Sequence, residues 1–185
     1  MNKVVFIVIA VVVLVGLASA QVTVNKYPNI GFKKIGVKLG PAIPDSPYNV
    51  GFVFDISGDL GKLNKVIGLE ATAEYMRVTK TVLETYTNSL SDFSGNITIK
   101  ILPDIESIPF DPYVGGGIGF HYYMTKLDER QSGATDEPAD TRLELHLAIG
   151  ATMPIKEGID GVFTFKVNLS DISTYNPYVG VMFDM

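Results

Sequence analysis

Few residues of this chain are equipped for chemistry. His121 and His146 are its only histidines, and cysteine is absent. Without cysteine there is no thiol nucleophile, disulfide, thiolate zinc site, iron-sulfur cluster or lipid-bearing cysteine. Two histidines can share a metal or serve as general bases, yet each falls in an alternating segment that reads as strand interior, so both are expected to be hydrogen-bonded structural groups. Gly115-Gly116-Gly117-Ile118-Gly119 lacks the Gly-x-Gly-x-x-Gly spacing of a phosphate loop and precedes no helix. Packing or curvature is the expected role of these glycines. Asp128, Glu129, Asp136, Glu137 and Asp140 crowd one segment without calcium-loop spacing; a solvated loop is expected there. Asn96-Ile97-Thr98 and Asn168-Leu169-Ser170 match the glycosylation acceptor pattern but sit inside strand-like segments, which discounts them.

The elements that must position these groups are strands. Eight segments alternate with a period of two: Ile35 to Leu39, Tyr48 to Ile56, Ile67 to Tyr75, Ile97 to Ile101, Val114 to Tyr122, Leu143 to Ala151, Phe163 to Leu169 and Val179 to Met185. Turn signals lie at Ser57 to Gly61, Pro103 to Pro112 and Met153 to Asp160. Val78 to Asp92, rich in Thr, Ser and Asn, and Thr125 to Asp140, dense in charge, read as longer connections. The expectation is an all-β fold, an eight-stranded antiparallel up-and-down barrel.

Alternation does not say which face is wet, because a soluble barrel with an apolar interior has the same period. Glycine and charge decide it. Gly36, Gly51, Gly68, Gly115, Gly117, Gly119, Gly150 and Gly180 fall on the polar faces, against Gly116 on the apolar ones. Glycine weakens a strand on a solvated surface and suits a crowded interior. The polar faces also carry Lys34, Lys38, Lys100, Arg142 and Lys166 with Asp55, Glu70, Glu74, Glu144 and Asp184, together with His121 and His146. Lysine or arginine facing lipid at mid-depth costs about 2–4 kcal/mol. The apolar faces are therefore expected to meet lipid, and the ten charged residues to form a paired network in a narrow lumen. Tyr48, Tyr75, Tyr122, Tyr123 and Tyr175 lie where interfacial aromatic belts are found.

Location and partners follow from composition. Met1-Asn2-Lys3, the apolar run Val4 to Leu17 and Ala18-Ser19-Ala20 form the pattern of a cleavable signal peptide over residues 1–20. Residues 21–185 are then the exported domain. A net charge of -5, from 15 basic and 20 acidic residues, offers no basic surface for nucleic acid. Mean hydropathy is +0.24 although 19% of residues are charged. That combination fits charge segregated away from lipid-facing surfaces.

Pro112-Tyr113-Val114-Gly115-Gly116-Gly117-Ile118-Gly119-Phe120, echoed by Pro177-Tyr178-Val179-Gly180-Val181-Met182-Phe183, resembles the PYVGxGxG strand of the small bacterial outer-membrane barrels, the opacity-protein and OmpA-like transmembrane-domain superfamily. The resemblance spans the exported chain. It implies residence in the bacterial cell outer membrane, contact with outer-membrane lipid and lipopolysaccharide, and recognition by the assembly machinery. It also implies a surface that presents loops to an extracellular ligand, with no cofactor. The chain departs from the pattern at its last residue, Met185, where such barrels end in an aromatic. Some similar barrels modify lipids with a histidine and a serine or aspartate. Here His121 is followed by Tyr-Tyr-Met and His146 by Leu-Ala-Ile, so no His-x-Ser pattern carries over and no enzymatic activity is expected. The expected role is structural or surface-interactive, in adhesion or envelope integrity; a narrow porin-like channel is the alternative, and a lipid-modifying enzyme a weaker one.

Overall fold

The structure, a computed structural model, describes residues 27–45, 47–82, 86–103, 105, 108–127 and 139–185. The segment expected to be a signal peptide lies outside the described residues. Eight strands follow one another: β1 (Asn29–Pro44), β2 (Asn49–Lys62), β3 (Ile67–Val82), β4 (Tyr86–Ile101), β5 (Asp111–Leu127), β6 (Asp140–Lys156), β7 (Ile159–Leu169) and β8 (Thr174–Asp184). Each pairs antiparallel with its sequence neighbours, and β8 pairs with β1, so the sheet closes into a barrel. An even number of strands permits that closure in antiparallel register, and closure leaves no edge unpaired.

Parity decides what each residue touches. Ile35, Val37 and Leu39 point outward while Gly36 and Lys38 are buried inside, and the same alternation separates Phe52, Phe54 and Ile56 from Val53, Asp55 and Ser57. Phe32 and Phe120 are each 65% exposed on the outer wall. Leu39, Val50, Leu143, Ile149 and Val179 are exposed there too. A continuous apolar exterior around a charged interior is the arrangement of a barrel whose solvent is lipid. The soluble alternative, with its apolar face inward, is excluded.

The strands are longer than their alternation suggested. The Ser57 to Gly61 segment is not a turn: it continues β2, with a register shift between Asp59 and Lys62 that Gly61 accommodates at φ +87. The β2–β3 connection lies instead at residues 63–66. The Met153 to Asp160 turn shrinks to Glu157 and Gly158, with φ +74 at Gly158. The largest correction concerns Val78 to Asp92, most of which belongs to strands, with unbroken register from Tyr75↔Phe93 through Thr79↔Ser89 to Thr81↔Thr87. Threonine suits strands, and the parity of Phe93, Ile97 and Ile99 simply runs on. Similarly β5 continues to Leu127 and β6 begins at Asp140; residues 128–138, with most of the acidic cluster, lie outside the described residues.

The apolar outer band on these strands is short. It runs from Ile67 to Tyr75, from Phe93 to Ile101 and from Val114 to Tyr122, close to the ~9–11 residues a tilted strand needs to cross a bilayer. Tyr75, Phe93 and Tyr122 are register partners at its upper edge, with Tyr75 4.6 Å from the Phe93 ring and 5.8 Å from Phe52. Tyr175 also faces outward. Tyr48 and Tyr123 do not join this belt: both line the mouth of the barrel. Above the belt the outward residues turn mostly polar, with Arg77, Thr79, Ser91 and Lys126 beside an apolar Met124. The β3–β4 hairpin therefore projects beyond the membrane as strand.

Candidate functional site

Inward parity brings the polar residues into one column. At the end where β1 begins and β8 finishes, Lys34 is bridged by Asp160 and by Asp184 at 2.9 Å. Deeper inside, Lys38 reaches Glu70 at 3.1 Å and Asp55 at 3.5 Å, while Lys100 bonds the other oxygen of Glu70. Glu70 thus joins two lysines from opposite sides of β3. Lys100 also lies 4.2 Å from the centre of the Tyr113 ring, a favourable cation–π placement. Glu74 receives Lys166 at 2.9 Å and the Tyr178 hydroxyl at 2.5 Å. The Tyr113 hydroxyl meets Thr164 Oγ1 at 2.5 Å, and Thr98 Oγ1 meets His146 Nε2 at 2.8 Å.

This packing leaves almost no space. The central cavity, lined by Lys38, Glu70, Lys100, Tyr113, Lys166 and Tyr178 among others, has a volume of about 10 Å³, room for one water at most. The lumen glycines explain how side chains of this size fit. A Cβ at Gly117 would sit 1.9 Å from the Ile97 carbonyl oxygen and 2.8 Å from the His146 ring; at Gly150 it would lie 2.6 Å from the Tyr113 ring. The outward set is larger than Gly116 alone: Gly58 and Gly161 share that parity, each covered by a neighbouring side chain, Phe32 and Ile155 respectively, and Gly95 faces open space.

The network differs from the sequence expectation in three ways. Arg142 and Asp184 lie at the mouths, not in the lumen. Arg142, 42% exposed, bonds Asp140 at 2.5 Å and Asp171. Second, two acidic members were missed. Asp160 had been placed in a turn, and Asp92 in the Val78 to Asp92 connection. Asp92 Oδ2 is 2.8 Å from His121 Nδ1, with Glu144 3.9 Å from the same nitrogen. Its signal was available, because Asp92, Ser94, Asn96 and Thr98 share one parity. Third, the upper lumen is not polar throughout. Ala42, Val53, Met76, Val78, Leu90 and Tyr178 form a buried cluster between the charged column and the mouth. Carboxylates consequently outnumber lysines in the enclosed part: Asp55, Glu70, Glu74, Asp92 and Glu144 against Lys38, Lys100 and Lys166.

Above this plug the barrel opens into a cavity of about 620 Å³, lined by Tyr48, Leu90, Tyr123, Arg142, Glu144 and Ile172 among others. It lies within the size range of small-molecule sites. Tyr123 donates to Glu144 at 2.9 Å and stacks on His121 with ring centres 5.8 Å apart.

No protein-family model and no curated protein matches the chain. Solved structures do. Neisserial surface protein A superposes with a TM-score of 0.61 at 16% identity, over 82% of this chain and 96% of that one. OprG of Pseudomonas aeruginosa gives 0.59 at 10% identity, covering 86% and 99%. Ail, the attachment invasion locus protein of Yersinia pestis, in complex with the heparin analogue sucrose octasulfate, gives 0.56 at 11% identity, covering 83% and 99%. The chain has the fold of these small eight-stranded outer-membrane β-barrels.

Proposed function

We propose that this protein is a non-enzymatic component of the bacterial outer membrane, exported by the signal peptide over residues 1–20 and inserted by the outer-membrane assembly machinery. Its role is surface interaction, in adhesion or envelope integrity, with the end opposite the start of β1 and the finish of β8 facing outward. One observation carries this reading: an apolar outer wall encloses a lumen whose central cavity is only about 10 Å³, beneath a mouth of about 620 Å³. The channel reading is disfavoured by the same number, and by the apolar cluster above the charged column. The lipid-modifying reading is disfavoured by the histidines. His121 and His146 are buried in the lumen, 1% and 2% exposed, away from any lipid on the outer wall. The neighbours in fold include an attachment invasion locus protein solved with a sulfated ligand, which supports a surface-interaction role.

Membrane fractionation followed by gel migration tests the location. The expected result is recovery with the outer membrane and faster migration before heating than after. A chain found in the soluble periplasmic fraction overturns the reading. Planar-bilayer recording of the reconstituted protein tests the sealed lumen, and stable single-channel steps would reinstate the channel.

A further inference from the structure

We infer that the mouth cavity binds a small organic cation, an ammonium or amidinium group carried on an apolar body. The inference deepens the surface-interaction reading and rests on the mouth being open to the outside. Glu144, 6% exposed, lines the cavity. One carboxylate oxygen accepts the Tyr123 hydroxyl at 2.9 Å and lies 3.9 Å from His121. Tyr123 and His121 thus both approach the same oxygen, Oε2. A buried carboxylate bordering a cavity gains most from a cationic donor.

The surroundings specify the rest of the ligand. Among the described residues, Asp140, Arg142 and Glu144 are the charged groups lining the cavity. Arg142 is hydrogen-bonded elsewhere: its Nε and one terminal nitrogen are taken by Asp140 and Asp171. The Arg142 guanidinium does lie 6.0 Å from the centre of the Tyr123 ring, so the chain's own cation marks that ring as a cation-accepting face. Leu90 and Ile172 also line the cavity; Leu90 belongs to the apolar cluster of the upper lumen and Ile172 packs against it. A ligand with its cation on Glu144 and Tyr123, and its apolar body against Leu90 and Ile172, satisfies both walls. An anion would meet Glu144 and Asp140 with only an already paired arginine to hold it.

Calorimetric titration of the purified barrel in nanodiscs, with empty nanodiscs as blank, separates this inference from the location reading, since it needs no cell fractionation. The probes are phenethylammonium, neutral phenethyl alcohol and anionic 3-phenylpropionate. Phenethylammonium is expected to bind and the other two are not. Glu144→Gln keeps the acceptor for Tyr123 and is expected to weaken binding about tenfold, the scale of a lost charge-assisted hydrogen bond. Arg142→Gln, at an exposed position, is expected to tighten binding roughly threefold by removing a competing cation. Equal binding of the neutral alcohol would reduce the cavity to a generic apolar site and overturn the inference. Binding of 3-phenylpropionate that Arg142→Gln abolishes would overturn it in favour of an anion site, and absence of phenethylammonium binding overturns it directly.

Discussion

Glu70 shows how single residues hold this molecule closed. Its two oxygens are divided between Lys38 and Lys100, so Glu70→Gln leaves two enclosed ammonium groups with one fewer counter-charge. Breaking a buried pair from one side costs about 3–5 kcal/mol, and urea unfolding in lipid vesicles is expected to show a loss of that order. A loss below about 1 kcal/mol would mean that the lysines reach water, and the lumen is wetter than described. Gly117→Val makes the steric counterpart. A Cβ there collides with the Ile97 carbonyl 1.9 Å away, backbone that cannot swing aside, so the variant is expected to lose the folded, fast-migrating band before heating. Most of this network was legible in parity, because period two sends Lys38, Asp55, Glu70, Glu74, Lys100 and Lys166 to one side without reference to any partner. Which carboxylate meets which lysine was not, since that depends on the register between strands. Arg142 was misplaced for a related reason: parity gives the face but not the depth at which a strand leaves the barrel.

Among the elements, the β3–β4 hairpin separates what alternation can say from what it cannot. Strand propensity and parity continue through Thr79 and Ser89, but hydrophobicity stops at Tyr75 and Phe93, because the strands leave lipid there and remain strands in water. Reading apolar alternation as strand length therefore cut both strands at the membrane surface. Outward substitutions should report that boundary. Ile118→Arg, within the apolar band, is expected to cost about 2–4 kcal/mol, and Thr79→Arg, above the aromatic belt, about 0–1 kcal/mol. Similar costs at both positions, read from unfolding in vesicles, would remove the boundary from where Tyr75, Phe93 and Tyr122 place it. Replacing residues 80–88 by an Asn-Gly turn joins Thr79 to Ser89, partners in register, through a two-residue hairpin connection. The shortened barrel is expected to fold and insert like the parent. Failure to insert would show that the projecting strands contribute to the crossing itself.

At the scale of the whole molecule, positive mean hydropathy coexists with 19% charge because one surface takes the apolar residues and one interior the charges. Eight strands give a barrel just wide enough for its own side chains, and here those side chains are large, paired and topped by an apolar cluster. The mouth has space for another molecule. The architecture was readable from parity and glycine placement; the apolar plug was not, because Val53, Met76, Val78 and Leu90 share the inward parity of the charged residues and break the polar pattern only where the barrel needs sealing. The central claim is that outward parity means lipid. The absence of tryptophan allows that claim to be read with one introduced reporter. Phe120→Trp, placed at an outward position 65% exposed, is refolded into vesicles containing brominated phospholipid, with Tyr123→Trp at the lumen-side mouth as the paired comparison. Blue-shifted emission strongly quenched at position 120 and weakly at position 123 is the predicted result; water-like, unquenched emission at position 120 would contradict it.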